Sequence, residues 1–340
     1  MAGMDIFNNN AFSMTSLSAA VEKVDYVPQT LGQLGIFTPQ PVRSRNIWVD
    51  RREGGLKLIS TSALGAPPEE LMGDDRSAVP LRTTRLAKGF TMYAYELDGI
   101  RAHGSETELM QVQAEYLRRM ARVRQDMDLT HEFHRLGALQ GLLLDADGTS
   151  VIYDYFEEFG VTRPAIVDFE LSNPDFDVRK FSNQLARDMI RNSNGKVAGA
   201  ANIHALAGDE FFDNLITHPK VERTYENWAA AADLRENNAF QSFKFGGITY
   251  HNYQGTNDNS TVAIDPDAAH FFPVGPGARD VFTKAMAPAE FGPYINTMGQ
   301  DTYAMNLVDR DRQAWTRGEL YSYPLYICNQ PEALRKGRSS

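Results

Sequence analysis

The order of patterns along the chain predicts an α+β fold. Three observations carry it: one long helical pattern over residues 105–139, alternating apolar and polar residues over 45–58 and 79–94 with mostly strand and turn patterns over 240–328, and no internal repeat or low-complexity tract. With 42% hydrophobic residues in a chain of 340, a sizeable core can be buried.

The first 44 residues lack a regular period. Asn8, Asn9 and Asn10 give way to a short amphipathic stretch at 16–24, then to a segment punctuated by Pro28, Gly32, Gly35, Pro39 and Pro41. Such an arm cannot bury Phe12, Leu17, Val21, Leu34, Ile36 and Phe37 against itself, so it must bury them on another element or another chain. Alternation begins at 45–58, with Asn46, Ile47, Trp48, Val49 and Asp50, and Gly54 and Gly55 predict a turn between two strands. A stretch rich in Gly, Pro, Ser and acidic residues at 60–80 precedes a second alternating run at 79–94. Together these predict a long two-stranded excursion with a loose tip. An isolated ribbon is marginal in water, so this one is expected to lie on a neighbour.

Ser105 or Gly104 caps the long helix, and Glu106 and Glu108 complement the helix dipole in its first turn. Leu109, Val112, Tyr116, Met120, Val123, Met127 and Thr130 recur at steps of three and four to form one apolar face. At ~1.5 Å per residue the helix is about 50 Å long, more than a small domain is wide, which implies an elongated subunit. Leu142, Leu143 and Leu144 then pair with Val151, Ile152 and Tyr153 about a tight turn. A second helix is expected over 177–194, ended by Gly195, with Phe181, Leu185 and Met189 buried. Shorter helices follow at 208–217 and 220–232. The rest is mostly strand, with Gly246 and Gly247 dividing one hairpin and 321–328 forming a final strand.

Charge narrows the function. Forty-four acidic against 34 basic residues give a formal charge of −10, which disfavours gripping nucleic acid through its phosphates. It suits an enzyme of neutral metabolites, or a container whose wall must not hold the DNA it stores. No apolar run approaches the ~20 residues needed to cross a bilayer, and the opening residues carry no basic-then-apolar leader, so folding in a cytoplasm is expected. The single cysteine, Cys328, excludes an internal disulfide and a multi-thiolate zinc site, and is expected to be a buried small hydrophobe.

His131, Glu132 and His134 invite a zinc reading, but the histidines are three apart where the metalloprotease spacing needs four; a polar helix end at the surface is expected instead. Asp145, Asp147 and Gly148 resemble the start of a calcium loop. The glycine falls at its fourth position, however, and Phe156 stands at the twelfth where a bidentate Glu is needed. Gly275, Pro276 and Gly277 form no phosphate cradle, and no serine stands in a nucleophile elbow. No catalytic, cofactor or metal site is predicted. A metal-dependent hydrolase using the histidines is the alternative from another class.

The stretch Phe12, Ser13, Met14, Thr15, Ser16, Leu17, followed by Tyr26, Val27, Pro28 and by Leu34, Gly35, Ile36, Phe37, resembles the opening of the lambda-like phage major capsid proteins, the phage capsid protein E family. Gly54, Gly55, Leu56, Lys57, Leu58, Ile59 leading to Gly65, Ala66, Pro67 is similar to that family's extended loop, and 99–104 to its entry into the spine helix. Phe271 to Gly275, Ala287 to Phe291, Asn296 to Gly299 and Tyr321 to Pro331 keep its order and spacing near the C-terminus. The likeness spans some 320 residues.

The resemblance implies a Hong Kong 97-type capsid fold: an N-terminal arm (1–44), an extended β-hairpin loop (45–95), a peripheral domain with the spine helix (96–170), an axial domain (171–295), and return strands with the C-terminus (296–340). It implies a major capsid protein of a tailed bacteriophage that assembles as hexamers and pentamers into an icosahedral shell around double-stranded DNA. A scaffold protein, a portal and a decoration protein are the implied partners, with DNA held non-specifically and no membrane. A tail or portal subunit is the other structural reading. Phe12, Leu17 and Phe37 of the arm and Trp48, Leu56, Leu58 and Ile59 of the ribbon are the expected intersubunit contacts, and removing residues 1–37 should leave a soluble fold that no longer closes shells.

Overall fold

The computed structural model describes residues 30–53, 75–97, 105–193, 197, 202–226, 242–253, 255–256, 262–278 and 280–339. The long helix spans Ser105–Gln140, and it serves two cores instead of one. In its first part Val112, Tyr116, Met120, Val123 and Met127 pack with Met92, Ala304 and Leu320. They rest on an antiparallel three-stranded sheet in which Trp315–Ser322 lies between Tyr303–Val308 and Leu86–Tyr93. Gly318 in the middle strand is required by this contact, because a Cβ there would stand 2.7 Å from both the Phe90 ring and the Tyr116 hydroxyl. In its last part Leu136, Ala138 and Leu139 join a second cluster. That cluster includes a sheet ordered Thr38–Pro41, Phe282–Met286, Pro324–Cys328.

A six-stranded sheet follows the order Val167–Asp168, Arg335–Arg338, Ala268–Val274, Asn202–Ala207, Ile248–Asn252, Ser242–Phe245. Its alternate residues feed different cores. Ile203, Ala205, Tyr250 and Phe271 meet the residues of the helices Val178–Asn192, Asp209–Thr217 and Pro219–Glu226, whereas Leu206, Ala268 and Phe272 face the cluster under the long helix. Burial on both faces removes the apolar/polar alternation from Asn202–Ala207, which is why no strand is expected there from the sequence. The helix Val178–Asn192 starts where its cap predicts, the Asp177 carboxylate accepting from the Lys180 N–H at 3.0 Å. It stops at the Ser193 cap, before Gly195, which lies outside the described residues.

Two strand assignments change. The ribbon pairs Asn46–Glu53 with Asp75–Arg82, antiparallel, so the run expected over 79–94 is divided. Its first part closes the ribbon, and Leu86–Tyr93 departs for the sheet under the long helix; Thr84 marks the break, donating its N–H to the Pro324 carbonyl at 3.0 Å. The expected turn at Gly54 and Gly55 lies outside the described residues. The final strand expected at 321–328 also splits, at Tyr323, into neighbours of two different sheets, and Arg335–Arg338 adds one more strand.

The turn after the long helix is held by Asp147, whose carboxylate accepts from the Thr149 and Ser150 N–H groups at 2.9 and 2.8 Å, and Gly148 supplies the positive φ of 70°. Those bonds, led by the Ser150 hydroxyl, bring the Asp147 carboxyl down to about 2. Cys328 is buried, which pushes its thiol up to about 12 and leaves it a packing group.

Candidate functional site

The ribbon separates its two faces by strand alternation. Ile47, Val49 and Val79 pack against the core and Leu81 is buried among it. The opposite face presents Trp48, 66% exposed and paired across the ribbon with Pro80, and then Asp50 paired with Ala78. The base is fixed: the Tyr153 hydroxyl accepts from the Arg82 N–H at 2.8 Å and donates to its carbonyl at 3.1 Å, and the Thr83 N–H reaches the Arg45 carbonyl at 2.9 Å. A large aromatic on the outer side of an anchored ribbon is an apolar surface with nothing over it among the described residues.

The inner end of the arm behaves otherwise. Leu31 is 1% exposed, its N–H donating to the Glu132 carboxylate at 2.7 Å. Phe37, expected on a neighbour, is half-buried in its own chain with its ring 5.4 Å from that of Phe282 and 5.1 Å from that of Tyr326. The next residues, Thr38–Pro41, extend a sheet by parallel pairing with Phe282–Met286, which leaves the Phe37 ring directed into that sheet's core. Phe12, Leu17, Leu56, Leu58 and Ile59 lie outside the described residues.

His131, Glu132 and His134, expected at the surface, are instead almost fully buried. The long helix keeps its apolar-face spacing through 127, 131 and 134, which turns both histidines inward. Glu132 serves Leu31 and pairs with Arg135 at 3.0 Å, while His131 Nδ1 meets the Tyr326 hydroxyl at 3.0 Å. His131 Nε2 and both ring nitrogens of His134 have no hydrogen-bond partner among the described residues. Burial holds both imidazoles neutral, that of His134 at about 4. Among the described residues no three His, Cys, Asp or Glu side chains are arranged to hold a metal, and no helix is long and apolar enough to cross a membrane.

One polar cluster has no counterpart in the sequence motifs. Where the long helix passes from the first core to the second, Arg124 pairs with Asp128 at 3.0 Å, reaches the Thr302 hydroxyl at 3.0 Å, and approaches Asp301 at 3.7 Å. Asp301 is held in turn by Lys284, whose ammonium burial draws below its ordinary value. These groups come from sequence positions far apart, so no local spacing announces them. They bind the helix to the loop between two sheets.

Comparison with known proteins gives this architecture its relatives. The major capsid protein of Salmonella phage Felix O1 is 26% identical over 364 residues, covering 97% of this chain and 97% of that protein. The major capsid protein of Pseudomonas phage KPP10 is 27% identical over 317 residues, covering 88% and 89%. Among solved structures, the putative capsid protein of an E. coli CFT073 prophage superposes with a TM-score of 0.57 at 13% identity, covering 96% of this chain and 99% of that one, a likeness of fold. The profile of the family described as phage major capsid protein E matches residues 13–339. On that match the chain belongs to the phage major capsid protein E family, and it is a major capsid protein of a tailed phage with the Hong Kong 97-like fold.

Proposed function

We propose that the chain works as a repeating tile, grouped into hexamers and pentamers that close an icosahedral shell around packaged double-stranded DNA, with each ribbon lying on an adjacent copy. The observation that carries this reading is Trp48, exposed on a ribbon whose other face and base are fixed to the subunit. Leu56, Leu58 and Ile59 continue the same contact toward the tip, and Phe12 and Leu17 make a second one through the arm. Stability of the shell is then spread over many strand and apolar contacts between copies. The region at 171–295, which supplies four of the six strands of the largest sheet, gathers around the local axes, and the region at 96–170 with the long helix forms the periphery.

The role is structural and not enzymatic. A scaffold protein guides assembly in the host cytoplasm, a portal occupies one vertex, and a decoration protein covers the finished head. The net charge of −10 suits a wall that encloses DNA without gripping it. Trp48→Ala tests the reading. At so exposed a site the subunit should keep its stability within about 0.5 kcal/mol, while closed particles counted by negative-stain electron microscopy, with the other head proteins of the phage present, should fall at least tenfold. Undiminished shells would sink it.

A further inference from the structure

The turn that joins Leu142–Leu144 to Val151–Asp154 contains the dipeptide Asp147–Gly148. Its backbone requires the glycine, because residue 148 takes a φ of 70°, where a side chain would be strained. It also requires the aspartate, whose short carboxylate accepts from N–H groups two and three residues further on. Chemistry penalises the same pair. With no side chain on the following residue to hinder it, the glycine amide nitrogen can attack the aspartate Cγ and expel water, closing a five-membered succinimide. Water then reopens the ring, and reopening at the α-carbonyl leaves isoaspartate, whose backbone runs through the former side chain and is one methylene longer. The reaction consumes no oxidant or cofactor, and Asp147 is exposed to the water it needs.

The turn opposes each step. The attacking nitrogen must give up its proton, yet the Gly148 N–H donates to the Asp145 carbonyl at 2.9 Å. The departing oxygen leaves as water only from the neutral acid, yet the carboxylate accepts from the Thr149 N–H at 2.9 Å, the Ser150 N–H at 2.8 Å and the Ser150 hydroxyl at 2.5 Å. These bonds favour the charged form and bring the carboxyl from 3.8 down to about 2, which leaves more than about tenfold less neutral acid near pH 7. They also engage both oxygens, so the group cannot turn toward Gly148 without breaking them. We propose that this turn is a guarded isomerisation site, whose hydrogen bonds hold Asp147–Gly148 against conversion to isoaspartate, with the Ser150 hydroxyl as the removable part of the guard. The damage would be felt beyond the turn: Leu143 of the same hairpin is buried and its Tyr153 clasps the ribbon base at Arg82, so an added methylene at residue 147 would disturb both. The guard lies within one chain and stands whether or not the ribbon lies on a neighbour.

The test is to age the full chain at neutral pH and body temperature for several weeks and count isoaspartate at residue 147 by peptide mapping, beside a synthetic peptide of residues 143–152 kept in the same buffer. Isoaspartate should build up at least tenfold more slowly in the chain than in the peptide. Ser150→Ala should speed its formation in the chain at least threefold with an unchanged melting temperature. Ser150→Thr, which restores a hydroxyl, should return the rate to that of the parent. Equal rates in chain and peptide would overturn the guard, as would a Ser150→Ala rate no different from the parent's. So would a Ser150→Thr rate as high as that of Ser150→Ala, since loss of the hydroxyl would then not be the cause. If Ser150→Ala melts at the incubation temperature, all the samples are aged at a lower one where it stays folded, and the same comparisons decide.

Discussion

A methyl group at Gly299 would sit 1.9 Å from the Met286 carbonyl oxygen, while the Gly299 N–H holds the Val42 carbonyl at 2.9 Å, so the contact is backbone against backbone. Gly299→Ala should therefore cost roughly 3 kcal/mol in a denaturant titration, whereas Gly292→Ala, with nothing within reach of its added Cβ, should cost far less. His134 makes a different prediction at the same scale. Burial holds its imidazole at about 4, below the 6.5 of an exposed histidine, so the folded state binds fewer protons. The stability it contributes is complete above about pH 6.5 and drains away as pH falls toward 4, by roughly 3 kcal/mol in all at ~1.4 kcal/mol per unit. His134→Leu should flatten the fall of melting temperature between pH 7 and pH 4.5; parallel curves for variant and parent would contradict this. His251 and His270, held at about 4 and about 3 by burial, add to the acid sensitivity, as do His131 and His204, which burial also draws down. The inward direction of His131 and His134 was legible in the sequence, because 131 and 134 continue the same period as 120, 123 and 127, but residue polarity argued the other way and the period prevailed.

Among elements, the long helix was the most legible, since apolar residues recurring at steps of three and four from Leu109 to Thr130 leave little choice of structure. Strand boundaries were less so. The break at residues 83–85 depends on Thr84 bonding to Pro324, a partner some 240 residues away, and nothing local in an alternating run marks it. The polar cluster at the crossing of the two cores was invisible for the same reason: Lys284 and Asp301 acquire meaning only when the fold brings Arg124 beside them. This cluster gives an asymmetric prediction. Lys284 has a side chain only 13% exposed and Asp301 one 46% exposed, so the two charges differ in their access to water. Lys284→Met leaves a carboxylate that can hydrate and should cost about 1 kcal/mol. Asp301→Asn leaves a buried ammonium and should cost more, on the order of 2–3 kcal/mol, discounted from the fully buried case. Paired denaturation curves decide it, and equal losses would show that the cluster does not act through the burial of Lys284.

For the whole molecule the question is where the self-supporting subunit begins. The sequence places the arm boundary at residue 44, because Pro and Gly punctuation and the lack of a period continue that far. Tertiary contacts move it inward. Leu31, Ile36 and Phe37 belong to the core under the long helix, Leu31 also caps the Glu132 carboxylate, and Thr38–Pro41 is a sheet strand. Removing residues 1–37 would withdraw two buried side chains and one half-buried ring, and leave Glu132 without its backbone donor. At about 2–5 kcal/mol for a large buried side chain, that approaches the whole stability of an ordinary domain. A chain lacking residues 1–37 should then be insoluble or fail to show a cooperative melt. One lacking only residues 1–29 should melt as the full chain does and still be impaired in closing shells, because Phe12 and Leu17 are gone while the core is whole. Calorimetry of both truncations with particle counts for the shorter one separates the two roles. If the 1–37 deletion melts normally, the inner arm is dispensable to the fold; if the 1–29 deletion forms shells in full yield, the outer arm is dispensable to assembly and the ribbon carries the contact between copies without it.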